Sequence, residues 1–152
     1  MSMERLLEEF SRSHFSRPPA TAEQIADFEA RVGWKLDADL RAFYLHADGG
    51  TLFELEPDAS YRILPLAEIR RARLAIMGRD DDTHGAPSQY TLVDMQDTNY
   101  VVLDVSQQES GRYPLFDAWH ETFPKTKRIA SSFSEFLERA MRSDGFSYWL
   151  DR

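Results

Sequence analysis

The chain has 152 residues, no cysteine, and 26 acidic against 18 basic side chains, a net charge of −8. That excludes a disulfide framework, a thiolate metal site and a cysteine nucleophile, and an acidic surface repels phosphate backbones and anionic lipid. Hydrophobic residues make up 42%, enough for one core at this length, so a single domain over residues 1–152 is expected, with neither nucleic acid nor membrane as partner.

The opening MSMERLLEEFSRSH is charged throughout and has no apolar centre of a signal peptide, which predicts a cytoplasmic protein. Met3, Leu6, Leu7 and Phe10 recur at helical spacing and predict a short helix over 3–10. Pro18 and Pro19 interrupt it. Thr21 and Gln24 form a capping box for a second helix, whose apolar face is Ala22, Ile25, Phe28 and Val32 and whose stop is Gly33. Asp37 caps a third helix with Leu40, Phe43, Tyr44 and Ala47 in one stripe, ended by Asp48-Gly49-Gly50.

Strands follow at 51–55 and 61–64, separated by the turn cluster EPDAS. Residues 66–77 return to helical spacing up to Gly78, and 79–88 form an exposed polar loop. Strands at 90–95 and 100–105 are joined by the turn QDTN. A third, 112–116, contains Pro114 and must lie at an edge or carry a bulge. Ser132 and Glu135 form a second capping box, opening a helix with Phe133, Phe136, Leu137, Ala140 and Met141 on one face. The tail 143–152 holds Phe146, Trp149 and Leu150 and is expected to pack back on the core. Together these elements predict an α+β fold with a mainly antiparallel sheet flanked by helices.

The chemistry-bearing motifs are missing. There is no phosphate-binding GxxxxGK[ST] or GxGxxG, no GxSxG elbow, no HExxH and no calcium-loop spacing in Asp80-Asp81-Asp82. His14, His46, His84 and His120 are scattered, so neither a metal nor another cofactor is expected. Arg70, Arg71 and Arg73 read as a solvated helix face paired with Glu68, and Lys125, Lys127 and Arg128 as a polar loop.

Three blocks in order resemble the SUKH superfamily, the Smi–Knr-like proteins. They are TAEQIADFEARVGWKLDADLRAFYLHADGG (21–50), YRILPLAEIRRA (61–72), and DTNYVVLDV (97–105) continuing through RYPLFDAWHE (112–121) to SSFSEFLERAM (131–141). Asp37 stands where that family commonly has proline after the leucine, and QDTN lacks the usual glycine. The resemblance implies an α+β domain without catalytic residues that, in bacteria, serves as an immunity protein neutralising a cognate toxin, often a nuclease.

The expected mechanism is occlusion of the toxin's basic substrate groove by an acidic surface on a monomer or weak homodimer. Its contact residues are expected among the loop and turn acids Glu54, Glu56, Asp58, Asp80, Asp81, Asp82, Asp94 and Asp97. The alternatives are a regulatory or scaffolding adaptor, and an enzyme in which His46, His84 or His120 converges with carboxylates.

Overall fold

The computed structural model describes residues 1–150. Three helices begin where the sequence places a cap. In α2 (Ala22–Val32) the Thr21 hydroxyl accepts the Gln24 N–H at 3.0 Å and the Gln24 side chain accepts the Thr21 N–H at 2.9 Å. Gly33 then ends the helix at φ 81°, a left-handed turn open to glycine. In α3 (Ala38–His46) Asp37 accepts the Leu40 N–H at 2.9 Å with one oxygen and the Tyr113 N–H at 2.9 Å with the other. In α5 (Phe133–Met141) Ser132 accepts from Glu135, while the Glu135 carboxylate reaches back one residue further, to the Ser131 N–H. The first helix, α1 (Met3–Ser13), runs three residues beyond the expected 3–10.

The sheet has seven strands: β1 (Phe15–Ser16), β2 (Gly50–Leu52), β3 (Tyr61–Ile63), β4 (Gln89–Asp94), β5 (Tyr100–Asp104), β6 (Leu115–Ala118) and β7 (Lys127–Ala130). Their spatial order is their sequence order and every neighbouring pair is antiparallel, so the sheet is one meander. The expected α+β class holds. The turn QDTN reverses the chain without glycine because Gln96, Asp97 and Thr98 all take positive φ.

Several boundaries differ from the sequence reading. The strand expected over 51–55 stops at Leu52, because Phe53 turns to φ 66° and gives its N–H to His14 Nδ1 at 3.0 Å instead of to the ladder. The helix expected over 66–77 is split. A 3-10 turn spans Leu66–Glu68, and the chain then pairs with β4, Thr91 N–H donating to the Arg70 carbonyl at 2.8 Å, before α4 (Ala72–Met77) begins. Sheet bonding at Arg70 outcompetes helical bonding there, and the Arg71 carbonyl then opens α4 by accepting from Ala75.

Pro114 falls just before β6, whose ladder is irregular between Leu115 and Phe116 and which lies inside the sheet. Neither expectation for Pro114 is realised, because it stands outside the strand and the extra residue of the irregularity, Ile129, belongs to β7. Lys127 and Arg128, read as loop, open β7, and β1 was not expected at all. Gly50 does more than end a helix. A Cβ there would lie 2.4 Å from the Phe15 carbonyl and 2.7 Å from the Phe10 ring, so β1 and α1 approach β2 only because it has none.

One face of the sheet carries the main core. Helices α1, α3 and α5 pack together over it, and rings run from Phe10 to Phe43 (5.4 Å), Phe133 (5.0 Å) and Phe136 (6.2 Å). Leu92, Val93, Val101, Leu103, Leu115 and Ile129 meet them from the strands. The opposite face is thinner: Ala72, Val102, Ala118 and Phe123 form a small cluster there. The tail packs back only in part. Tyr148 and Trp149 join the main core, but Phe146 and Leu150 stay 55% and 46% exposed, and the last two residues of that segment lie outside the described residues. No helix among the described residues is long and apolar enough to cross a membrane.

Candidate partner-binding surface

The expected contact acids fall into two groups. Gln96 ties the β4–β5 turn to the loop after β2, its amide donating to the carbonyls of Pro57 (3.2 Å) and Ala59 (2.6 Å). That brings Glu56, Asp94 and Asp97 to one end of the sheet, and Glu54 and Asp58 lie exposed on the same loop. Two of these acids are already engaged. Arg62 on β3 holds Glu56 at 2.7 Å, Glu68 at 2.6 Å and Asp94 at 3.8 Å. A 420 Å³ groove beside them, lined by Arg62, Glu68, Arg70 and Asp94 among others, is therefore largely self-neutralised.

The second group is the loop after α4. Arg73, expected on a solvated face with Glu68, is instead buried at 5% exposure, its guanidinium binding Asp80 at 2.8 Å, Asp82 at 2.6 Å and the Gly85 carbonyl at 3.1 Å. The split of the expected helix explains the error, since α4 aims Arg73 under the loop while Glu68 turns to Arg62. The hydrogen bond from Arg73 holds the Asp80 carboxyl below its usual range. Asp81 is held at about 2, first by its hydrogen bond from His84 and then by that from Thr83. These acids brace a loop.

The histidines stay apart. His46 meets Ser11 at 2.5 Å and His120 bonds the Asn99 amide oxygen at 2.8 Å. His14, whose burial pushes its pKa down, accepts from Phe53, and His84 serves Asp81. Among the described residues no three His, Asp or Glu side chains gather as metal ligands would.

A different feature lies at the end of the sheet where the main core runs out. On the inner face one cross-strand row reads Ile63, Val93, Val101, Asp117 and Lys127, each directly opposite the next. Three apolar residues are thus followed by an ion of each sign. Over this row the tail lays down a cleft of 380 Å³, lined by Met95, Asp97, Asp117, Trp119, Phe146 and Leu150 together with the edge of Trp149. Trp119, Phe146 and Leu150 are three of the large apolar side chains left exposed on the protein.

The cleft is held from behind. The Tyr61 hydroxyl donates to the Phe146 carbonyl at 2.6 Å, and Lys127 Nζ to the Trp149 carbonyl at 3.1 Å. Buried Asn99 accepts both the His120 N–H (2.9 Å) and its Nδ1 proton, which fixes the turn carrying Trp119. Burial pushes the Asp117 carboxyl up, against the opposing pull of the Trp149 side chain and Lys127. Of the expected contact acids only Asp97 lines this cleft. Asp117, Trp119 and their neighbours were missed; the signal was a charged residue alternating with the inner-face Leu115, legible only once the register is known.

An antiparallel meander under a helical layer, with acids braced by arginines and an apolar cleft at its open end, defines a small α+β protein. The SMI1/KNR4 family (SUKH-1) matches residues 19–139, and the chain belongs to that family. It is similar to the immunity protein YokJ of Bacillus subtilis (strain 168), at 28% identity over 118 residues, covering 76% of this chain and 71% of that protein.

Proposed function

We propose that the chain is a non-enzymatic immunity protein that binds a cognate bacterial toxin domain, a nuclease, and occludes its active site. The observation that carries this reading is SUKH-1 membership together with the likeness to a protein named for immunity. Charge supports it. A nuclease presents a basic groove to its substrate, and a surface at net −8 is attracted to that groove and competes with the nucleic acid. Glu54, Asp58 and Asp97, exposed at one end of the sheet, are the expected acids best placed for such contact, whereas Glu56, Asp80, Asp81, Asp82 and Asp94 already have internal partners. The protein acts in the cytoplasm, as a monomer or weak homodimer, without a cofactor.

The test is co-expression with the toxin encoded beside its gene. Growth is restored by this chain, and the purified pair shows stoichiometric loss of nucleic-acid cleavage. Cells that die regardless overturn the immunity reading. Protection without any inhibition of cleavage in vitro overturns occlusion.

A further inference from the structure

We infer that the cleft between the end of the sheet and the C-terminal tail receives an arginine side chain from an exposed loop of a basic protein partner. This deepens the immunity reading and rests on it for the partner's identity, though not for the chemistry of the cleft.

The lining combines two things that a guanidinium uses together. Trp119 offers aromatic surface, 38% exposed, on which a planar cation stacks. Asp97 and Asp117 both line this cleft and supply the carboxylate acceptors that a guanidinium uses. Among the described residues neither forms a salt bridge with an arginine, in contrast to Asp80, Asp82 and Asp94, which do. Among the described residues the cation beside Asp117 is Lys127, its cross-strand neighbour, and its ammonium is turned to the Trp149 carbonyl.

Position strengthens the case. Asp117 occupies a sheet row that is otherwise apolar at Ile63, Val93 and Val101, where a leucine or valine would pack beneath the tail at no electrostatic cost. Burial raises its pKa, because the Trp149 side chain and Lys127 offset the cost of the ionised form only in part. A partner cation offsets the remainder. Desolvated aromatic and arginine anchors are the contacts that dominate protein interfaces, and Met95 and Leu150 provide the apolar rim that excludes water around one. A nucleobase would also stack on Trp119, but its phosphate would face Asp97 and Asp117.

Two measurements test this. In the first, the full-length protein is titrated with acetyl-Gly-Arg-Gly-amide while its tryptophan indole and backbone N–H resonances are followed by NMR. The Trp119 and Trp149 indoles and the Gly145 amide should shift saturably, with a dissociation constant of roughly 1–10 mM expected for one exposed cation–aromatic contact. The citrulline peptide, the same shape without charge, should bind about tenfold more weakly, and Asp117→Asn or Trp119→Ala should weaken the arginine peptide roughly fivefold or more. Equal binding of the citrulline peptide, shifts elsewhere on the protein, or a stronger response to a short single-stranded oligonucleotide would overturn the inference. In the second, affinity for the neighbouring-gene toxin is measured. Asp117→Asn and Trp119→Ala should each cost at least about tenfold. If the wild type binds toxin and both variants bind it equally, the cleft is not the interface. If the wild type ignores the toxin yet takes the arginine peptide in the cleft, the immunity reading fails and the cleft assignment stands.

Discussion

The loop after α4 and the cleft at the C-terminal end both display aspartates on an acidic protein, and the two regions use them in opposite ways. In the loop, Arg73 reaches from beneath and satisfies Asp80 and Asp82, so that Asp80 is held below its usual pKa by the hydrogen bond it accepts. In the cleft, Asp117 stands in an apolar row, burial pushes its pKa up, and its neighbours only partly offset that cost. One region has spent its negative charge on its own architecture. The other leaves charge only partly offset beside the exposed Trp119 ring, where a partner can meet it. Net charge alone makes these regions look alike; the wiring of each carboxylate separates them.

Asp37 is likewise a carboxylate consumed inside the protein, although burial pushes its carboxyl up while the Leu40 and Tyr113 N–H groups pull it down. One oxygen caps α3 at Leu40 and the other accepts from Tyr113, 76 residues away, so it stitches the helical layer to the strand that follows. Asp37→Ala strips both buried N–H groups of their acceptor and should cost about 3 kcal/mol of unfolding free energy, read by urea denaturation. Asp37→Asn keeps one acceptor and turns its amide hydrogens toward the other N–H, so it should fall between the two. A loss near zero for Asp37→Ala would mean that carboxylates with full internal partners are not the structural class described above.

A smaller effect is expected at Arg73→Ala. Asp82 and the Gly85 carbonyl lose their donor and Asp80 is left with Arg71 alone, so the loop over residues 79–85 should exchange its amide hydrogens faster and be cut sooner by protease while the sheet stays protected. The sign of the pH dependence follows from Asp80. Its folded pKa is depressed, so its contribution is complete above the unfolded value of about 3.9 and is lost as pH falls through the lower folded value. The gap in melting temperature between wild type and Arg73→Ala should therefore narrow as pH falls below about 4. A gap that is flat with pH would show that Arg73 acts by packing alone.

Much of the fold was legible because its signals are local. Thr21, Asp37 and Ser132 start helices by accepting nearby N–H groups, and Gly33 ends one by its own conformation. Helical spacing at 66–77 misled because the competing partner, β4, lies distant in sequence and captures Arg70 and Arg71. β7 escaped notice because Lys127 and Arg128 look like loop until Asp117 and Phe116 are placed opposite them. The candidate site was less legible for the same reason. Asp97 could be chosen as an exposed turn acid, but nothing near Asp117 in sequence says that its row is apolar or that the tail will roof it. Four of the eight acids chosen for exposure, Glu56, Asp80, Asp82 and Asp94, are bound by arginines within the same chain.

The sharpest way to test the contrast is Asp117→Asn, which should change stability in the opposite direction to Arg73→Ala. The folded pKa of Asp117 is raised, so the native state holds its proton to higher pH than the unfolded chain does. Its favourable contribution is complete below the unfolded value of about 3.9 and disappears as pH rises through the folded value, leaving an ionised group that costs stability at pH 7. Asparagine removes that charge and can still accept from the Trp149 side chain. The variant should melt at a higher temperature than wild type at pH 7, with the two curves converging below about pH 4, while losing affinity for the arginine peptide. A gain in stability paired with a loss of binding is what a residue kept for a partner produces. A lower melting temperature at pH 7 would instead make Asp117 a structural counter-ion of Lys127, and the two regions would no longer differ in kind.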